Sequence, residues 1–356
     1  MLRRTTPHLE RRTTWLELAF DLVFVVAVTQ LADGFATAPG VEDLDRLALL
    51  FLTVYLTWSE TTRAINLLEG EDAIRYAVIL VQVLAFSAAA AFIGDAWDHR
   101  TAEFAYAVAV GRAAVVIEFL RAARHMSGAT RVLRAEAAAA SAGVALGVIA
   151  GAADIEWLLP VAALTALVGP LLRLAPGMDD LLPSHPGHIA ERFGLFTVIV
   201  LGDAHAEVID ALTEGGATLA GLAEAGAILL VAAGLWWAYF RGIDDSSLRL
   251  GGGAGIGWLG IQLLLTGAVA AFGGIARRLA DHDATPAQDL AVLWACIGLA
   301  LVALAAVQHW RTPAQPWRAL RLGVAGVAAA VAAVGPEWSA AWALPVMVAH
   351  TWVAVR

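Results

Sequence analysis

The chain of 356 residues contains no lysine and one cysteine, and only 15% of it is charged. A single thiol, Cys296, excludes an intramolecular disulfide and any metal site built from several thiolates. All 23 basic residues are arginine, which reads as a compositional bias rather than as chemistry. The net charge of −9 leaves no basic surface for nucleic acid. Gly251-Gly-Gly-Ala-Gly lacks the Lys-Ser/Thr of a phosphate loop. Gly255-Ile-Gly257-Trp-Leu-Gly260 has no strand before it, so it reads as helix packing rather than a dinucleotide fingerprint. Asp179-Asp180 and Asp244-Asp245 read as solvated loop charge. The nine histidines are mostly in loops and do not form the intramembrane pairs that a haem-bearing bundle needs. No cofactor and no metal is expected.

What the chain does have is apolar length. Hydrophobic residues make up 60% of it and the mean hydropathy is +0.71. Soluble domains hold roughly 45–50% apolar and about 25% charged residues. Stretches near the ~20 residues that cross a bilayer recur at 14–36, 44–64, 74–94, 102–122, 130–151, 155–175, 188–212, 217–240, 254–276, 288–308, 318–334 and 338–355. The expected fold is therefore all-α, a polytopic membrane bundle of about twelve transmembrane helices. The abundant glycine (33 residues) fits close helix packing in lipid. Arginines 3, 4, 11 and 12 before the first apolar run imitate a signal peptide. Glu17 and Asp21 would fall inside its hydrophobic region, so an uncleaved first span is expected.

Arginine placement tests the topology. With the N-terminus in the cytoplasm, 17 arginines fall on the cytoplasmic side and 4 outside (Arg46, Arg100, Arg277 and Arg278). The positive-inside rule then places both termini in the cytoplasm. Arg277 and Arg278 are the discordant pair. A weak internal repeat also shows. Phe20-Asp-Leu-Val-Phe parallels Phe193-Gly-Leu-Phe-Thr, and Trp58, Arg63 and Asn66 share their offsets with Trp236, Arg241 and Asp244. Parallel six-helix repeats would divide the chain into halves at 1–176 and 177–356, with a site at their interface.

Ionised groups within a span cost about 2.5–3.5 kcal/mol on insertion scales, so they usually face a partner or a hydrated cavity. Glu17 and Asp21, four apart, share one face of the first span. Asp21 lies roughly 10 Å into it and Arg112 roughly 13 Å from the same boundary, so the two could meet at one depth. Such a contact is either a structural ion pair or a substrate or proton site held shut by it. His188, Glu191 and Arg192 share a cytoplasmic-side face. Asp203 lies near mid-membrane and is a plausible proton carrier; His205 beside it reads as a satisfied imidazole. Glu118 snorkels or pairs with Arg121 or Arg124. Trp58 and Trp236 read as interfacial anchors.

Trp15-Leu-Glu17-Leu-Ala-Phe20-Asp21-Leu-Val-Phe24, Glu191-Arg192-Phe193-Gly194-Leu195-Phe196-Thr197 and Trp236-Trp237-Ala-Tyr239-Phe240 together resemble the bacterial low-temperature-requirement A (LtrA) family across essentially the whole chain. The resemblance implies a multi-span inner-membrane protein linked to growth in the cold, with no defined substrate. The family's usual Gly-Glu-Ser is Gly202-Asp203-Ala204 here, so the acid is kept, shortened, and the hydroxyl lost. Two functions are open. One is a transporter or permease for a small solute or ion, protons included, with Glu17, Asp21, Arg112, Glu191, Arg192 and Asp203 along its path. The other is a membrane-embedded enzyme acting on lipid or a lipid-linked substrate.

Overall fold

The computed structural model describes residues 3–4, 14–37, 43–69, 72–175, 177, 186–214, 218–242, 253–281 and 287–311. Regular structure among them is helical apart from a two-residue antiparallel pairing of β1 (Arg3–Arg4) with β2 (Leu68–Glu69). The helices are α1 (Trp15–Thr37), α2 (Leu44–Ile65), α3 (Ala73–Ala91), α4 (Ile93–Trp97), α5 (Ala102–His125), α6 (Thr130–Ala153), α7 (Leu158–Leu164), α8 (Val168–Leu172), α9 (Pro186–Glu214), α10 (Leu219–Gly242), α11 (Gly253–Asp281) and α12 (Ala287–Arg311).

Each of the first ten apolar segments read from the sequence coincides with helix to within a few residues. The sixth is broken into α7, a 3-10 turn (Thr165–Leu167) and α8. The eleventh and twelfth lie outside the described residues, as do Asp179-Asp180 and Asp244-Asp245. Among the described residues, five helices are long and apolar enough to cross a membrane: Trp15–Thr37, Ala73–Ala91, Ser127–Ala153, Gly255–Leu279 and Asp289–Ala306. The helix α2 is 22 residues long but carries Asp45, Arg46, Glu60 and Arg63 and falls outside that class.

The chain divides into two compact units, one of residues 1–31, 48–193 and 248–257, the other of 32–47, 194–247 and 258–356. In the first, α2 is the central element: residues 53–62 are buried without a break. A helix hidden all round has no lipid-facing stripe to keep apolar, which is why it tolerates polar residues on every side. Around it, α5 packs along α6 through glycines four residues apart. A Cβ at Gly147 would touch the Ala109 Cβ at 3.5 Å, and one at Gly151 would crowd the Ala102 carbonyl at 3.0 Å. Small residues at that spacing let two backbones approach. Phe86 of α3 lies on Gly111 of α5 and joins Phe20 and Phe24 of α1, with ring centroids 6.1 and 4.6 Å away.

The break between α7 and α8 has a local cause. Pro170 has no N–H, so the carbonyl of Ala166, four residues earlier, loses its intrahelical donor. Arg63 of α2 supplies one, donating from Nη2 to Ala166 O at 2.5 Å. Arg112 of α5 donates in the same way from Nη1 to Ala162 O, which also accepts from the Thr165 hydroxyl at 2.7 Å. Two glycines make room for these guanidiniums. A Cβ at Gly143 would collide with Arg112 and Thr165, and one at Gly169 with Arg63 and Glu136.

In the second unit, α11 passes close to α9 and to the end of α1. A Cβ at Gly273 would meet the Ala204 Cα at 3.1 Å, and one at Gly274 the Ala32 carbonyl at 2.7 Å. The Tyr239 hydroxyl of α10 accepts from Gln262 Nε2 of α11 at 3.0 Å and is also hydrogen-bonded to Thr197 of α9.

Gly143→Ala and Gly169→Ala are therefore expected to destabilise the protein by about 1–3 kcal/mol each, because an added methyl must displace a buried guanidinium. Gly147→Ala meets only ordinary contact and should be neutral. Thermal unfolding of the three variants in detergent checks the ranking.

A candidate functional site around the second helix

Six consecutive residues of α2, Trp58-Ser-Glu-Thr-Thr-Arg63, organise the polar interior of the first unit. At 3.6 residues per turn, Trp58, Glu60, Thr61 and Arg63 point in four different directions. Each meets a different helix.

Trp58 is fully buried, and its Nε1 donates to Asp21 Oδ1 of α1 at 2.8 Å. The same carboxylate is gripped by Arg192 of α9, from Nε to Oδ2 at 3.1 Å and from Nη2 to Oδ1. The guanidinium also lies 5.9 Å from the ring centroids of both Phe20 and Trp58, within cation–π range. Glu60, 2% exposed, accepts from Arg112 Nε at 2.9 Å, and Arg112 Nη2 donates to Thr165 Oγ1 at 2.7 Å. Thr61 Oγ1 accepts from Gln82 Nε2 of α3 at 3.2 Å. Arg63 Nη1 donates to Glu136 Oε2 of α6 at 3.1 Å. Beside Arg112 a narrow cleft is lined by Thr53, Thr57, Gly143, Gly147 and small apolar residues. It encloses about 240 Å³, counting the space open to its surroundings.

A second layer of charge sits at the helix ends of this unit. Thr14 and Glu17 form a capping box on α1: Glu17 N donates to Thr14 Oγ1 at 3.3 Å, and Thr14 N to Glu17 Oε2 at 3.0 Å. Glu17 Oε1 also lies 3.9 Å from Arg75 Nη2, and Glu17 Oε2 lies 3.5 Å from His188 Nε2. Arg75 in turn donates to the carbonyls of Ile65 and Leu68, both at 2.6 Å, closing the end of α2. Asp72 caps α3 by accepting from Arg75 N at 2.8 Å, and binds Arg121 Nη2 at 2.6 Å; Arg121 Nη1 reaches Glu118 at 2.7 Å.

Several expectations change. Arg112 does not pair with Asp21; Glu60 takes Arg112, and Asp21 takes Arg192. Glu191 is exposed, whereas His188 and Arg192, four apart, are buried. One residue is 100° of helix, which turns Glu191 away from the face the other two share. Trp58 is no interfacial anchor but a buried hydrogen-bond donor; Trp236, 43% exposed, stays at the surface of α10. Glu118 pairs with Arg121 as expected. His205 Nδ1 lies 2.6 Å from Leu201 O one turn back, a locally satisfied ring.

In the second unit Asp203 is half-buried, and the more deeply buried carboxylate of α9 is Glu207, one turn on. Arg277 of α11 binds Glu207 at 3.0 Å and Asp33 of α1 at 2.6 Å, and Asp203 lies within electrostatic reach of Glu207. Arg278 lies 3.3 Å from Asp289. The arginine pair that broke the positive-inside pattern is thus matched by acids.

Sequence reasoning passed over Glu60, Arg63, Arg75, Gln82, Glu136, Glu207 and Asp33. The signal was present for Glu60, an acid well inside an apolar segment. Thr14-Trp-Leu-Glu17 likewise carries the capping-box spacing.

Removing one partner of a buried ion pair costs about 3–5 kcal/mol, because the other charge is left uncompensated. Asp21→Asn is therefore expected to destabilise by that order, and Trp58→Phe by ~1.5–3 kcal/mol, the value of one hydrogen bond to a charged group. Chemical denaturation in detergent micelles would show whether Asp21→Asn is the larger loss. At the helix boundary, the Arg75 backbone N–H and, next, the Arg121 guanidinium hold the Asp72 carboxyl below its ordinary value, against a desolvation that raises it. Its stabilisation is thus full above the unfolded pKa of about 3.9. It is lost as pH falls through the lowered folded value. Asp72→Asn should flatten this acid limb of a stability–pH curve and lower the neutral plateau.

No curated protein matches the chain. The family model described as bacterial low temperature requirement A protein (LtrA) matches residues 12–356, nearly the whole length. The chain therefore belongs to the LtrA family, with a helical, apolar bundle that fits a membrane protein.

Proposed function

We propose that the chain is a transporter or permease of the bacterial cytoplasmic membrane. In this reading it crosses the bilayer about twelve times, keeps both termini in the cytoplasm and supports growth at low temperature. The observation that carries it is the Trp58–Arg63 stretch. It is polar, almost wholly buried, and hydrogen-bonded to α1, α3, α5 and α6, with α9 reached only through Asp21. A bundle that only needed to fold could fill those positions with apolar side chains at lower desolvation cost. Polar groups kept inside a membrane protein mark a path or a site.

Roles follow from position. The Asp21–Arg192 pair is the gate, since opening it exposes both a carboxylate and a guanidinium. Arg112, held by Glu60, lines the cleft. Asp203, with Glu207 and Arg277, is the ion-coupling candidate, because Arg277 faces two carboxylates at once.

One arrangement favours the membrane-embedded enzyme instead. Glu17, Arg75, Asp72, Arg121, Glu118 and His188 gather at helix ends in one layer, as an interfacial site for a lipid head group would.

Flux of solute or protons into proteoliposomes tests the proposal. Glu60→Gln and Asp203→Asn are expected to reduce flux while the variants remain folded; unaltered flux in both removes their assigned roles. Loss of one lipid species from cold-grown deletion cells, with no flux in vesicles, would favour the enzyme.

A further inference from the structure

We propose that the turn between α5 and α6 holds the head group of an anionic phospholipid. In the membrane orientation given above, this end of the hairpin lies at the cytoplasmic surface. The site needs that orientation but no transport activity.

The first argument is unanswered charge. Residues 119–135 include Arg121, Arg124, Arg131 and Arg134 and no acid. Arg121 is turned inward to Asp72 and Glu118. Arg63, Arg75, Arg112 and Arg192 are likewise each met by an acid. Arg124, Arg131 and Arg134 are exposed and have no acid partner among the described residues. Each guanidinium offers the forked N–H groups that grip a phosphate. The turn gathers them. Met126 and Ala129 are buried, and Thr130 Oγ1 donates to Ala123 O at 3.0 Å, tying the start of α6 to the end of α5. Arg124 and Arg131 each follow one of these tied residues. Arg134, three residues beyond Arg131, shares its exposed face.

The second argument is the polarity of α6. A helix N-terminus carries roughly half a positive charge and favours acids in its first turn. Here the arrangement is reversed. Ala129 at the cap makes no side-chain hydrogen bond, the first turn holds no acid, and Arg131 stands in it. Arg124, in the last turn of α5, suits its own helix. Arg131 and Arg134 do not, and folding alone gives them no reward. An anion seated between them turns the repulsion into attraction.

The third argument is what leads up to the arginines. On α5, exposed Ile117 and Leu120 lie on the face that ends in Arg124. On α6, exposed Ala135, Ala138, Ala142 and Ala145 continue the face of Arg131 and Arg134. An apolar strip thus runs into basic charge on both helices, as acyl chains run into a head group. A free phosphate uses only the arginines; an anionic phospholipid uses both parts. A phosphatidylcholine would bring its own cation up to them.

Thermal unfolding of the full chain in detergent tests the site with three additives: dihexanoyl phosphatidylglycerol, dihexanoyl phosphatidylcholine and inorganic phosphate. Phosphatidylglycerol is expected to raise Tm saturably, and the other two to leave it unchanged at the same concentration. Arg131→Gln combined with Arg134→Gln should weaken the apparent affinity about 30-fold, at ~1 kcal/mol for each arginine. Without lipid, that variant should melt no lower than the wild type, because it relieves the helix terminus. Arg131→Lys with Arg134→Lys, which keeps the charge, should retain most of the affinity. Arg100→Gln, which breaks an exposed pair with Asp95 at the opposite end of α5, should bind as the wild type does. Equal gains from phosphatidylcholine or from inorganic phosphate overturn the proposal, as does full affinity in the double glutamine variant.

Discussion

The first unit depends on one constraint: α2 is enclosed on every side from Thr53 to Thr62. Glu60 is shut off from solvent and Arg63 nearly so, and each must be met by another helix. Ion pairs from α1 to α9, α2 to α5 and α2 to α6 are the result. They fix helix rotation more than they add stability, because buried pairs return little beyond their desolvation cost. A helix turned by one residue, 100°, would leave each charge facing the wrong neighbour.

The same enclosure explains why hydropathy and helix position part company. The segments recognised most readily as membrane spans, such as α1 and α3, keep apolar faces turned outward; Leu22, Leu80 and Leu84 are exposed. The most central helix of this unit is one of its two least apolar. A polar helix amid apolar ones marks the interior here.

The helices themselves were legible, because runs of apolar residues broken by Pro, Gly and Asp leave few alternatives. So were Asp21 and Arg192, as charges inside such runs, and both are buried. Their partnership was not. Depth along a helix is readable from rise per residue. Which helices are neighbours is a tertiary fact that neither periodicity nor charge encodes. Trp58 was misread for a related reason: indole at a span end usually anchors to the interface, and only the presence of Asp21 opposite makes it a donor. Glu191 shows the limit of a shared-face argument, since residues three apart differ by 60° and the burial boundary runs between them. Glu207, more deeply buried than Asp203, lies one helical turn beyond it.

The interruption at Pro170 has a consequence for how the chain is put together. The amide that proline lacks is replaced by a guanidinium that lies 103 residues earlier in the chain. Until α2 is alongside, the Ala166 carbonyl would stand bare in hydrocarbon, where an unmet backbone group costs several kcal/mol. The segment from Leu158 to Leu172 cannot mature as an autonomous hairpin partner of α6. Its shape is conferred late, by an element synthesised long before it, which makes the early helix a template for the later one.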